Sequence, residues 1–188
     1  MFKKNTIQLV LLLSTVSSTC FLSVTQVYGL GGDVHARSLS IKGLGWAGHT
    51  GLEALDGRIL EMLEGNPTTS KWGYDSYLFK NSKNSFFNSS QYWGARYWEH
   101  LVNTAFWRIS NYVVRNADYV EDIGADYTIT ARYNHPYNYR DRAGKLRLKL
   151  GKYRCDTYVY SMYRTGGIGF PFSTILPTKV FNVFPDIR

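Results

Sequence analysis

Residues 49–55 and 58–63 are apolar-rich stretches separated only by Asp56-Gly57, and this arrangement constrains the fold more than anything else in the chain. Asp-Gly between two such runs is the strongest short-range signal for a β-hairpin, because glycine supplies the left-handed backbone that a tight reversal needs. A lone hairpin is marginal in water, so other strands or a helix must cover it. The turn itself leaves two registers open. A three-residue loop over 55–57 sets Ala54 opposite Arg58 and Gly51 opposite Glu61, on the face that carries His49, and Gly51 then leaves room for the carboxylate to lean towards the imidazole. A two-residue loop sets Glu64 opposite His49 instead, since a one-residue slip exchanges the faces.

The remaining pattern is mixed. After the turn-like Gly31-Gly32-Asp33, residues 34–41 alternate as a strand, and 42–48 form a Gly-rich loop. Residues 68–90 are rich in Ser, Asn, Lys and aromatics without sustained periodicity, which predicts a long surface excursion with short ordered pieces, within an aromatic-rich insert over 68–98. Over 93–116, Trp98, Leu101, Val102, Ala105, Phe106, Ile109, Tyr112 and Val113 recur at helical steps and predict one long amphipathic helix. Residues 127–133 and 146–150 read as strands, and 155–164 as a short helix stopped by Gly166-Gly167. The tail, 168–188, carries Pro171, Pro177 and Pro185 and should run extended or in single turns. Strands with segregated helices predict an α+β domain, with an antiparallel sheet, rather than a doubly wound parallel one. A hydrophobic share of 44% in 188 residues excludes disorder as a whole-chain description, and residues 30–188 amount to one ordinary domain.

The first 29 residues read as an address. Lys3 and Lys4 precede a mostly apolar stretch over 7–24, and Val27 and Gly29 have the small-residue spacing of a cleavage site. That is the form of a secretory signal peptide, so the expected location is periplasmic or extracellular; an uncleaved anchor is the alternative. Cleavage would remove Cys20 and leave Cys155 as the single thiol in a compartment where cysteines are usually paired. Such a thiol is a buried small hydrophobe, half of an intermolecular disulfide, or a nucleophile. Losing Lys3 and Lys4 lowers the formal charge from +8 to +6, which suits peripheral contact with an anionic envelope surface. The basic residues read as dispersed, with no nucleic-acid docking motif. With no second mature cysteine and no clustered histidines, neither a metal nor a cofactor is expected.

A thiol attacks a carbonyl as its thiolate, so a catalytic cysteine wants a helix N-terminus, a nearby imidazole, or both. Cys155 opens a predicted helix. Of the four histidines, His49 begins a strand after a flexible loop and is the best-mounted base; His100 falls on the long helix, His135 in a Pro loop, and His35 on the first strand. Glu61 or Glu64 would orient the imidazole, depending on the hairpin register.

Four segments, Gly32-Asp33-Val34, Gly48-His49-Thr50-Gly51-Leu52, Ile59-Leu60-Glu61-Met62-Leu63 and Tyr153-Arg154-Cys155-Asp156-Thr157-Tyr158-Val159, resemble the ordered motifs of the NlpC-type papain-fold cysteine hydrolases. Because His49 precedes Cys155, the order resembles the circularly permuted branch, the YiiX-like and lecithin retinol acyltransferase-like proteins. The segment from Ile123 to Thr128 and Leu176-Pro177-Thr178 are similar to that branch too. The resemblance implies a permuted papain-like fold in which the His hairpin packs on the Cys-bearing helix. It implies Cys155 as nucleophile, His49 as general base and then acid, Glu61 as its orienting group, and Tyr153 as a holder of the tetrahedral intermediate. Where the family commonly has Ser after the cysteine, this chain has Asp156, and the insert over 68–98 is long for the family. The function implied is cleavage of amide bonds in cell-wall peptides. The alternatives are a thiol acyl hydrolase or acyltransferase acting on lipid acyl groups, and a catalytically silent module that stacks its aromatics on glycans or a partner.

Overall fold

A computed structural model describes residues 31–39, 45–97, 104–169, 176–184 and 186–187 of the protein. The expected leader over 1–29, with Cys20, lies outside the described residues, as do Trp98, His100, Leu101, Val102 and Pro171. In chain order the elements are β1 (Val34–Arg37), a 3-10 turn (Gly45–Ala47), β2 (His49–Glu53), β3 (Ile59–Met62), β4 (Thr68–Thr69), β5 (Asp75–Ser76), β6 (Leu78–Asn81), α1 (Lys83–Asn88) and β7 (Tyr92–Tyr97). There follow α2 (Thr104–Ile123), β8 (Ala125–Tyr127), β9 (Tyr137–Arg140), β10 (Leu146–Lys149), β11 (Gly151–Tyr153), α3 (Cys155–Thr165), α4 (Pro177–Val183) and β12 (Asp186–Ile187).

The hairpin closes through the three-residue loop. Leu52 pairs with Leu60 and Glu53 with Ile59, the Ala54 N–H donates to the Arg58 carbonyl at 2.8 Å, and the Gly57 N–H donates to the Ala54 carbonyl at 3.0 Å. Around it builds a six-stranded sheet in the order β12-β7-β1-β2-β3-β6, antiparallel throughout. Strand alternation sorts its residues. Val34, Ala36, Leu52, Leu60 and Met62 belong to one hydrophobic core with Val113, Ala117 and Val120 of α2, Tyr158, Val159 and Met162 of α3, and Val180 and Phe181 of α4. Each fully buried Leu or Val there contributes about 1.5–3 kcal/mol of transfer free energy. In β1–β3 the alternate positions carry His35, Arg37, His49, Gly51, Glu53 and Glu61, and these are buried as well. The cover on that side is Phe86 of α1, a short helix that Ser82 caps by accepting from the Ser85 N–H at 3.1 Å. A sheet covered on both sides must pair its inward polar groups with one another, and that requirement assembles the site.

Several expectations are corrected. Residues 92–97 are a strand, β7, not the start of the long helix; their aromatics suit a pleated strand, and pairing with β1 satisfies the backbone. The helix runs later, through to Ile123, and stops at Gly124, whose φ of +93° only glycine adopts comfortably and whose N–H closes on the Val120 carbonyl. Residues 68–75 are an exposed excursion that carries the short pair β4–β5, whereas the rest of the stretch is built in, because β6 joins the main sheet beside β3 and α1 roofs it. Beyond 168 the chain forms the two-turn helix α4, opened by Pro177 in the first turn, and then β12, which adds a strand to the sheet.

Candidate active site

The site begins at a glycine. Gly48 has a φ of +72°, and a Cβ there would fall 2.3 Å from the Trp93 ring, so only glycine lets the chain turn under that indole into β2. His49 follows at once, fixed in the sheet opposite Arg37. Its Nε2–H donates to Glu61 Oε2 at 2.8 Å. The same carboxylate accepts from Arg37 Nη2 at 3.2 Å and, through Oε1, from Asn81 Nδ2 at 2.7 Å. All this is buried: His49 is 4% and Glu61 2% exposed. Phe86 lies 5.9 Å from the His49 ring, and the Arg37 guanidinium sits 5.0 Å over that phenyl. Gly51 also matters, though not by leaving space for Glu61. A Cβ there would come within 2.4 Å of Ile59 and 3.1 Å of Phe86, so the room is taken by the roof.

Cys155 is the first residue of α3, buried at 6% exposure, and close enough to His49 for the two side chains to interact. With Nε2 held by Glu61, Nδ1 is the nitrogen left for the thiol. Burial works against a charge on His49. The charge on Cys155, its hydrogen bond, and then the bond and charge of Glu61 overcome that and push the imidazolium from 6.5 up to about 9. Burial likewise works against charge on Glu61, but the His49 hydrogen bond and charge, with Asn81 and Arg37, hold the carboxyl below its ordinary value.

The helix start is held by Asp156. This residue is fully buried and accepts two bonds from the Arg154 guanidinium, Nε at 2.7 Å and Nη2 at 2.6 Å, whose Nη1 donates to the Ile129 carbonyl at 3.2 Å; the Asp156 Oδ1 also accepts the Thr157 N–H at 2.8 Å. Its charge is thus matched by Arg154 on the preceding residue pair of the turn. The Arg154 N–H donates to Thr157 Oγ1 at 2.8 Å, completing the first turn around the cysteine.

The other sequence candidates fall elsewhere. Glu64 is exposed beyond the end of β3, because the three-residue register brings Glu61 to His49. Tyr153 is corrected: its ring is buried against Tyr133 and Tyr158, and its hydroxyl is engaged by His135 Nδ1 at 3.4 Å and by Ser161, well along α3 from the thiol. His35 has both ring nitrogens occupied, Nε2–H donating to Glu53 at 2.9 Å and Nδ1 accepting from Tyr92 at 2.8 Å, and offers none to a thiol.

One residue of the site lacked an assigned role in the sequence. Tyr127, at the end of β8, pairs in parallel with Tyr153 two residues before the cysteine. Burial, and after it the negative charges at Cys155 and Glu64, push its hydroxyl up to about 12, so the phenol stays protonated as a donor beside the thiol. The signal for it was the Gly124-Ala125-Asp126-Tyr127 exit from the long helix; its parallel partner strand was not foreseeable. Tyr127 lines an open cleft of about 610 Å³ with Glu64, Gly65, Tyr77, Asp126 and Lys152. Among the described residues no group of His, Cys, Asp and Glu could hold a metal ion, and no helix is long and apolar enough to cross a membrane. The chain matches no family model, no curated protein and no solved structure.

Proposed function

We propose that the protein is an exported thiol hydrolase with a permuted papain-like fold, acting through Cys155, His49 and Glu61 on amide bonds of cell-wall peptides. The observation that carries this reading is the continuous line of thiol, imidazole and carboxylate, buried and placed at the N-terminus of α3. The Cys155 thiolate attacks the scissile carbonyl carbon. In this reading the helix start, together with the Tyr127 hydroxyl, would stabilise the oxygen that becomes negative. As the tetrahedral intermediate collapses, the carbon–nitrogen bond breaks and His49 gives its proton to the departing amine, leaving a thioester on Cys155. Water, deprotonated by the now neutral His49, attacks the thioester, and the thiolate leaves as the carboxylic acid forms. Glu61 keeps the proton on Nε2 throughout and offsets the imidazolium charge. Arg37 and Asn81 hold Glu61 in place.

A lipid acyl substrate on the same nucleophile is the second reading, favoured by the exposed aromatic and basic residues near the cleft, Tyr137, Tyr139 and Lys152 among them. The test is turnover of purified muropeptides and of acylated phospholipids by the native, Cys155→Ala and His49→Ala proteins. Release of amine-bearing peptide, lowered about a thousandfold or more in both variants with their folds intact, supports the amidase reading. Release of fatty acid alone selects the lipid reading. Native turnover in either variant refutes both.

A further inference from the structure

Between β8 and β11, the parallel pair that leads into the cysteine, the chain leaves the fold and returns. β9 and β10 form a two-stranded sheet of their own and, among the described residues, pair with no other strand. Nearly every residue from 137 to 149 is exposed. The segment holds five basic residues, Arg140, Arg142, Lys145, Arg147 and Lys149, against the single acid Asp141. That acid is occupied in building the turn. Its Oδ1 accepts the Ala143 and Lys145 N–H groups at 3.0 and 2.9 Å, and its Oδ2 accepts Arg147 Nε at 2.9 Å. Arg142, Lys145 and Lys149 make no ion pair among the described residues. Five of the chain's 22 basic residues are thus gathered on one short arm.

The apolar residues on the arm are as telling as the charges. Tyr139 stands opposite Arg147 and Tyr137 opposite Lys149, so one face presents two tyrosines beside two cations. Tyr137 is 53% and Tyr139 43% exposed, and Leu146 across the arm is 60% exposed. A dissolved polyanion would satisfy the cations and leave Tyr137 and Tyr139 in water. A bilayer with anionic headgroups accepts both, the cations among its phosphates and the tyrosyl groups of the same face at the boundary beneath. The arm is also fixed to the site. Asn134 and Lys152 exchange backbone hydrogen bonds at 3.2 and 3.0 Å, and Asn134 Nδ2 donates to the Leu150 carbonyl at 3.2 Å, pinning the arm's base to β11 just before Cys155. We propose that this arm docks the protein on anionic phospholipid bilayers and thereby holds the cleft of Asp126, Tyr127 and Lys152 at the membrane surface.

The test is co-sedimentation with phosphatidylcholine vesicles, with and without phosphatidylglycerol. The full chain and its variants share residues 1–30, so differences among them report the arm. The native protein is expected to sediment with phosphatidylglycerol vesicles at low salt and to be released at high salt. The triple change Arg142→Gln, Lys145→Gln, Lys149→Gln should weaken binding about a hundredfold, and an equal change of charge on other surfaces, Lys71→Gln, Arg115→Gln, Lys179→Gln, far less. Tyr137→Ser with Tyr139→Ser should weaken vesicle binding while leaving any binding of soluble polyphosphate unchanged. Should the triple variant lose its cooperative melt, Arg142→Gln at the turn alone serves, with about a fivefold loss expected. No hairpin-dependent sedimentation, equal losses from both triple variants, or arm-dependent binding of polyphosphate without binding of vesicles overturns the proposal.

Discussion

Removing the Cys155 side chain lowers the midpoint of His49 further than neutralising Glu61 does. The imidazolium stands at about 9 against an ordinary 6.5, a preference worth about 3 kcal/mol. Burial opposes it; the two largest favourable contributions are the charge and hydrogen bond of Cys155, and the bond and charge of Glu61 come after. A hydrogen bond between charged groups is worth about 1.5–3 kcal/mol, so Glu61→Gln should bring the midpoint to roughly 7 to 8. Cys155→Ala removes the larger pair and should bring it lower still, with burial left opposed by Glu61 alone. Glu64→Gln, at an exposed position, should leave it unchanged. The assay is a pH titration of the imidazole nitrogens by long-range proton–nitrogen correlation. The sign for stability follows, because a group raised on folding stabilises fully below its unfolded value and loses that contribution as pH rises through the folded one. Thermal stability of the native protein should therefore decline between pH 6.5 and about 9, and decline less in Cys155→Ala. A native midpoint near 6.5, or a larger fall in Glu61→Gln than in Cys155→Ala, refutes the coupling.

Glu61 and Glu53 are both buried carboxylates held below their ordinary value of 4.5 by histidine partners that outweigh the cost of burial, so their contribution should be present above that value and lost as pH falls below it. Acid-induced unfolding monitored by fluorescence should show this, and Glu53→Gln should shrink the dependence; an unchanged acid limb would show that the pairs contribute nothing. Gly51→Ala, which drives a methyl into Ile59 and Phe86, should cost about 1–3 kcal/mol in urea unfolding, and a neutral result would mean that α1 is free to lift from the sheet. Asp156→Ala removes two of the Arg154 guanidinium's bonds, leaves the one to the Ile129 carbonyl, and opens the first turn around Cys155, for a loss of about 3 kcal/mol that Asp156→Asn should partly restore. Identical urea midpoints for all three proteins would rule out a role for that pair in holding the helix start.

What was legible in the sequence was local. The hairpin, the start of the cysteine helix and its Gly stop follow from neighbouring residues, because turns and caps are decided within a few positions. The choice between Glu61 and Glu64 was not local: it turns on whether Leu55 joins the loop, and only the pairing of Leu52 with Leu60 decides it. The misreading of residues 92–97 as helix has the same root. Aromatic residues at those positions fit either form, and β1, nearly sixty positions earlier in the pairing of Ala36 with Gly94, selects the strand. Tyr153 and Tyr127 show the limit most clearly. Proximity in sequence pointed to the tyrosine beside the cysteine, whereas a parallel strand brings in the other one and aromatic packing turns the first away.

Five of the six strands of the main sheet lie between residues 34 and 97, ahead of all three helices that cover its apolar face. During synthesis, therefore, the backbone pairing around His49 and Glu61 has all but one of its strands before Cys155 exists. For that interval Leu52, Leu60 and Met62 lack the cover of α3 and α4, with α2 alone of the three covering helices made, and the nascent sheet is a sticky, half-covered object. Cys155 arrives with α3, the helix that most extends this cover. The thiol and its burial are thus acquired in the same folding step, and a chain stalled before α3 is prone to aggregate.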